Sequence, residues 1–242
     1  ISSAIKELKP NKACGVDMIS HEMLIYGECQ EMIVLLKILY NAIVKTGHIP
    51  RGSNISIVTP IPKKDIMSCP FESRPISVSN GFDSIFESLL LTKMKFVDHL
   101  NPNQFGYRPK TSAKHAYFVV NEAAQFYKSG GSKIHIICLD ASKAFDKLWR
   151  DGLFWKLKDT VDPGIWRALY AYYKNSQIIV SYENEMGALT PTSEGVKQGG
   201  ILSPYLFNFY MNKLIEDSLN LNIGATIGKT NVSLSHIVTI SF

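Results

Sequence analysis

Leu139-Asp140-Ala141-Ser142-Lys143-Ala144-Phe145-Asp146 follows the apolar run Ile134-His135-Ile136-Ile137-Cys138. A short β-rich run closed by a carboxylate predicts a buried strand over 134–140, with Asp140 at its tip and facing a cleft. An amphipathic helix is expected next, over 144–158. A strand-tip carboxylate suits a divalent cation, because hard ions such as Mg²⁺ take carboxylate oxygen and keep room for water and phosphate. Downstream stands Gly195-Val196-Lys197-Gln198-Gly199-Gly200-Ile201-Leu202-Ser203-Pro204-Tyr205-Leu206-Phe207-Asn208. Ser203 as N-cap and Pro204 at the first helical position predict a helix over 203–219.

Working outward, helical periodicity marks 2–10 and 31–46, where Leu35, Leu36, Leu39, Ile43 and Val44 would share a face. Gly47-His48-Ile49-Pro50 ends the second of these. Ile55 to Pro62 alternates and then breaks at prolines, which reads as a strand, and Arg74 to Val78 is another extended piece. Helices are expected over 82–98, 111–128 and 164–174. Gln177–Tyr182 and Leu189–Val196 flank Asn184-Glu185-Met186-Gly187 and predict a β-hairpin. No repeat, low-complexity segment or linker stands out, and the best boundary lies near 100–110, dividing lobes of one fold.

The bulk properties exclude several classes. Of 242 residues, 45% are hydrophobic and 19% charged, enough for a real core and against disorder. The net charge of +5 is concentrated early, as residues 1–120 hold 14 Lys/Arg against 10 Asp/Glu. A basic first half suits a phosphate-bearing partner as well as a plain solvated surface. Cys14, Cys29, Cys69 and Cys138 lack metal-ligand spacing and read as reduced thiols of an intracellular protein. No apolar run reaches the length of a membrane span, so no membrane partner is expected. The first residue is Ile, and we expect an excerpt of a longer polypeptide.

The motifs, taken in order, resemble the reverse transcriptases of non-LTR (LINE-like) retrotransposons. Leu8-Lys9-Pro10-Asn11-Lys12-Ala13-Cys14-Gly15-Val16-Asp17 is similar to the opening block of that family. Thr59-Pro60-Ile61-Pro62-Lys63-Lys64 and Ser73-Arg74-Pro75-Ile76-Ser77 resemble its fingers block, and Gln104-Phe105-Gly106-Tyr107-Arg108 the next one. The Asp140 and Gln198 motifs follow as the palm. The resemblance implies an α+β right-hand polymerase fold without a thumb. Residues 1–110 would form a fingers lobe with an N-terminal extension, and 111–242 a palm incomplete at its C-terminus, within one reverse transcriptase domain.

The implied function is RNA-directed DNA polymerisation. Two Mg²⁺ ions would act in nucleotidyl transfer, on an RNA template, a DNA primer and deoxynucleoside triphosphates. The resemblance makes Asp140 the first metal-binding carboxylate and catalytic residue, with the backbone carbonyl of Ala141 as a further ligand. Lys63 and Arg74 would bind the triphosphate, for which multiple donors and bidentate Arg are suited. Lys64 competes with Lys63 for this role. Phe145 would lie beneath the incoming sugar and exclude a ribose 2′-hydroxyl, although its spacing with Ala141 and Leu148 equally reads as core. Gln198 would lie against nucleotide and template, with Gly199 permitting close backbone approach. Asp146 reads as a helix-start or hydrogen-bonding carboxylate. The family setting implies the nucleus or a cytoplasmic ribonucleoprotein.

Two departures stand against activity. Ser84 occupies a place where the family commonly has a basic residue, and no Tyr-x-Asp-Asp occurs anywhere in the chain. One carboxylate rarely holds two ions. The family expects that motif near Ser235-His236-Ile237-Val238-Thr239-Ile240-Ser241-Phe242. The codons open to this peptide allow Ser-Tyr-Ser-Asp-Asp-Ile-Val in a shifted frame, so a one-nucleotide change between about Gly228 and Leu234 would account for the loss. The alternatives are a non-catalytic nucleic-acid-binding remnant or pseudogene product, and a group II intron-type reverse transcriptase.

Overall fold

The computed structural model describes residues 1–63, 73–95, 100–183, 185–221 and 224–232. The chain divides into two compact units. The first comprises Ile1–Met94 and Lys143–Ser203, the second Lys95–Ser142 and the chain from Pro204 onward.

The first unit opens with α1 (Ser2–Lys6), α2 (His21–Tyr26) and α3 (Gln30–Thr46). Ser20 caps α2 by accepting from the Met23 amide, and Gly47 closes α3 in the left-handed region with its N–H on the Ile43 carbonyl. The helix expected over 2–10 is therefore shorter, since Pro10 cannot continue it and the chain has turned by Leu8. Strands β1 (Ile55–Pro62) and β2 (Ser73–Ser79) form an antiparallel pair, with Pro62 opposite Ser73. Then come α4 (Gly81–Met94), α6 (Arg150–Leu157), α7 (Pro163–Lys174) and β3 (Gln177–Tyr182), the last parallel to β1. Helix α5 (Ala113–Ser129) belongs to the second unit. Short β4 (Glu185–Met186) and β5 (Thr190–Pro191) pair antiparallel with β3 and meet the hairpin expectation in abbreviated form. The sheet order is β2-β1-β3-β4, with β5 also on β3.

β3 runs beside β1 only as far as Val58. Pro60 and Pro62 thus fall where β1 is bonded on one side by β2, and a missing N–H interrupts no second ladder. The core of this unit gathers Ile85, Phe86, Leu90, Leu153, Leu157, Leu169, Tyr172 and Leu202, all nearly free of solvent. Phe86 sits between Tyr40 and Tyr172, at centroid distances of 5.2 and 5.6 Å.

The second unit contains α5 (Ala113–Ser129), α8 (Ser203–Asn220, beginning at the unit boundary), and the hairpin of β6 (Thr226–Ile227) and β7 (Thr230–Asn231). Asn208 Nδ2 donates to the Gly106 carbonyl at 2.7 Å, and Asn212 Oδ1 accepts from the Asn101 backbone amide at 2.7 Å, so α8 holds the 101–106 turn. The Tyr127 hydroxyl donates to the Thr226 carbonyl and accepts from its amide, at 2.6 and 2.8 Å, tying the hairpin to α5.

The strand expected over 134–140 does not form. Residues 132–141 have neither helix nor strand, and Ile137 and Leu139 are 84% and 92% exposed. An extended run is stable only when a neighbour takes up its backbone groups, and among the described residues no strand pairs with it. The helix expected over 144–158 is also delayed. Residues 142–147 form turns and α6 starts at Arg150. Lys64, Asp65, Cys69, the last turn of the helix expected over 82–98, and Ser235–Phe242 lie outside the described residues.

Candidate functional site

Within the first unit, the Gly195–Gly200 loop is clamped from two sides. On one, the Ser77 amide of β2 donates to the Gln198 carbonyl at 2.6 Å. Gly199, at φ +113°, lies so close that an added Cβ would stand 2.7 Å from the Ser77 carbonyl oxygen. On the other side, the amides of Gly195 and Val196 donate to the carbonyls of Leu148 and Phe145 at 2.9 and 2.8 Å. A Cβ at Gly195 (φ +74°) would stand 2.4 Å from the Asp146 carbonyl oxygen. Only glycine tolerates both this backbone region and this proximity.

The clamp brings Gln198 to Asp146. The Gln198 side-chain nitrogen Nε2 donates to Asp146 Oδ1 at 2.9 Å. Partial burial pushes the Asp146 carboxyl above its ordinary value, opposed by this hydrogen bond and by the charges of Lys143 and Lys63. Lys63 is exposed at the end of β1, and Arg74 is half-buried in β2 opposite Ile61, so both stand at one end of the β1–β2 pair. Phe145 is buried, and its carbonyl serves the clamp. Five of the residues singled out in the sequence (Lys63, Arg74, Phe145, Gln198 and Gly199) thus belong to one unit and to connected segments of it.

Asp140 and Ala141 belong to the second unit and are exposed in the irregular 132–141 run. The unit boundary falls inside the diagnostic octapeptide, between Ser142 and Lys143. Among the described residues no group of three His, Cys, Asp or Glu could hold a metal ion. The donors present, one carboxylate and one carbonyl, do not fit a pair of divalent cations.

Behind the loop lies a buried polar cluster that sequence reasoning missed. Lys197 donates to the hydroxyls of Ser79 and Tyr172, each at 3.2 Å, and its Nζ lies 3.8 Å from Glu87 Oε1. The Tyr172 hydroxyl donates to Glu87 Oε1 at 2.9 Å, and Glu87 Oε2 accepts from the Leu202 amide at 3.2 Å. Burial pushes the Lys197 ammonium down and the neighbouring Asp83 carboxyl up to about 6. Arg150 anchors the other end of the loop. It donates to the carbonyls of Gly195, Tyr173 and Thr192 at 2.7, 2.9 and 2.6 Å. It also donates to the hydroxyls of Ser176 and Thr192, each at 2.9 Å. The signal was faint and confined to Glu87, a charge embedded in the apolar stretch Ile85-Phe86-Glu87-Ser88-Leu89; Lys197 and Arg150 have polar neighbours.

A sequence profile of the reverse transcriptase (RNA-dependent DNA polymerase) family matches residues 61–232. The chain belongs to the reverse transcriptase family. It is 24% identical over 219 residues to the RNA-directed DNA polymerase from mobile element jockey of Drosophila funebris, covering 87% of this chain and 23% of that protein. It is 27% identical over 196 residues to the Pol polyprotein from the type-2 retrotransposable element R2DM of Drosophila melanogaster, covering 81% of this chain and 18% of that one. The chain therefore spans about a quarter or less of the length of these two curated relatives. Among solved structures, the reverse transcriptase fold is met in apo telomerase from Candida tropicalis, truncated from its C-terminal domain. That match has a TM-score of 0.50 and 12% identity over 84% of this chain and 45% of that one. The expected polymerase palm-and-fingers fold and non-LTR affiliation are thereby met. Reverse transcriptases as a family use divalent metal ions and act on a nucleic-acid template and primer. Among the described residues, no helix is long and apolar enough to cross a membrane.

Proposed function

We propose that this chain is the nucleotide-reading part of a non-LTR retroelement polymerase, with residues 1–110 as fingers and 111–242 as palm. In this reading it takes an RNA template, a DNA primer and deoxynucleoside triphosphates. Lys63 and Arg74 meet the triphosphate, Phe145 sits against the sugar, and Gln198 and Gly199 face the nucleotide and template. The observation that carries the reading is the clamped Gln198 loop, which joins the Lys63 and Arg74 strands to the Phe145 turn. An intracellular setting, in the nucleus or a cytoplasmic ribonucleoprotein, goes with it.

Asp140 and the Ala141 carbonyl are the first ligands of a two-Mg²⁺ centre in this reading, but the donor set does not complete one. In this reading the described donors bind substrates without joining them. The test is titration of the purified chain with a primer–template duplex and dTTP, followed by extension in Mg²⁺. Salt-sensitive binding, weakened by Lys63→Ala and Arg74→Ala, is expected without extension. Processive Mg²⁺-dependent synthesis would overturn the inactivity. Duplex binding with no response to dTTP would favour the nucleic-acid-binding remnant, for which the supporting observation is that no metal-holding group of His, Cys, Asp or Glu occurs among the described residues.

A further inference from the structure

We infer that Asp146 is a positioning residue for nucleotide selection, its carboxylate fixing which end of the Gln198 amide is presented to the ligand. The inference rests on the reading of Gln198 as a nucleotide contact. An ionised carboxylate has acceptors only, so the atom facing Asp146 Oδ1 must be the Gln198 amide nitrogen. Its separation is 2.9 Å. The side-chain oxygen Oε1 of Gln198 is then left to accept, which commits the side chain to reading a donor. Were Asp146 free to turn aside, the amide would flip and read an acceptor instead.

Asp146 is not free. The turn that carries it is bonded to the loop on both sides, through the Phe145 carbonyl to Val196 and through the Leu148 carbonyl to Gly195. The crowding at Gly195 fits the Asp146 backbone directly against the loop. The gate candidate Phe145 and the reader Gln198 thus move as one piece, with Asp146 as the joint. The same carboxylate feels the charges of Lys143 and Lys63 as well as the Gln198 amide, and partial burial opposes its ionisation. It tempers the positive charge that a triphosphate would meet. The two effects separate chemically: Asn keeps the acceptor oxygen and loses the charge, whereas Ala loses both.

The test uses the full chain with ¹⁵N-labelled glutamine and no ligand. The Gln198 side-chain pair is assigned by its loss in Gln198→Leu. One of its two protons is expected to be exchange-protected and displaced from the free-glutamine position, moving with pH at a midpoint above the ordinary Asp range. Asp146→Asn should retain the protection and abolish the pH shift, and Asp146→Ala should abolish both with the thermal midpoint used as a fold control. A wild-type pair with the shifts and exchange rate of a free glutamine, or that ignores pH, would overturn the coupling even if Asp146→Ala does not fold. Adding dTTP with Mg²⁺ then reads the other half. Perturbation of the protected pair supports the selection role, and an unperturbed pair overturns that role while leaving the Asp146–Gln198 coupling intact.

Discussion

Lys197 Nζ lies 3.8 Å from Glu87 Oε1, with the two side chains only 7% and 2% exposed. The pair sits one residue from Gln198 and shares the Tyr172 hydroxyl. Breaking a buried pair strands the remaining charge, whereas replacing both partners by apolar groups removes the cost altogether. Lys197→Met is therefore expected to lower the unfolding free energy by about 3–5 kcal/mol. Lys197→Met with Glu87→Leu should recover a large part of it. Urea unfolding of the two single variants and the double variant measures this; equal losses in all three would refute the pairing.

Asp83 gives the fold a pH dependence of definite sign. Its carboxyl, deep beside Glu87 and accepting from the Asn54 amide at 3.0 Å, is raised by burial from 3.8 to about 6. A raised folded-state value means the folded chain binds the proton more tightly than the unfolded one. Stability from this group is thus present below pH 3.8 and declines as pH rises through about 6. The loss at pH 7 amounts to about 3 kcal/mol, at roughly 1.4 kcal/mol per unit. Asp83→Asn, which keeps an acceptor for Asn54, should gain on wild type between pH 4.5 and 7. Urea midpoints at three pH values in that window would show the gap widening.

The loop glycines separate strain from crowding. Gly199 and Gly131 both have positive φ, but a Cβ at Gly199 meets the Ser77 backbone and one at Gly131 meets nothing within 4 Å. Gly131→Ala should cost about 1 kcal/mol, the backbone term alone. Gly199→Ala should cost more and expose the Ser77 amide to hydrogen exchange. Equal costs would mean that the clamp yields.

Arg150 tests the other anchor. Its planar fork serves three carbonyls and two hydroxyls at once, and it stacks 5.3 Å from the Tyr173 ring centroid. A lysine has three donors on a single atom and cannot reach this set. Arg150→Lys should destabilise by about 2–4 kcal/mol, since each buried acceptor left bare costs roughly 1–3. Chemical denaturation together with protection of the Gly195 amide would register it.

Much of this architecture could be read from the residues. Helix α3, the β1–β2 pair, α7 and α8 are announced by periodicity, by Gly47 and by the Ser203-Pro204 start. The candidate residues Lys63, Arg74, Phe145 and Gln198 came from motif order, which spacing alone could not supply. The strand at 134–140 failed because local β propensity says nothing about whether a partner is available. α2 escaped notice because six residues make too short a period. Lys197, Glu87 and Arg150 were missed because a charged residue in sequence looks solvated until the fold shows what surrounds it.

The 132–141 run holds Ile136, Ile137 and Leu139 in water on an irregular backbone. Such a segment has the composition of a strand and the accessibility of a loop, which is the combination that nucleates intermolecular β assembly. For a cell making this chain, the consequence is a matter of lifetime more than of chemistry. The run offers holdases a ready ligand and proteases an extended substrate. Survival of the protein would then depend on how soon another surface covers those three side chains.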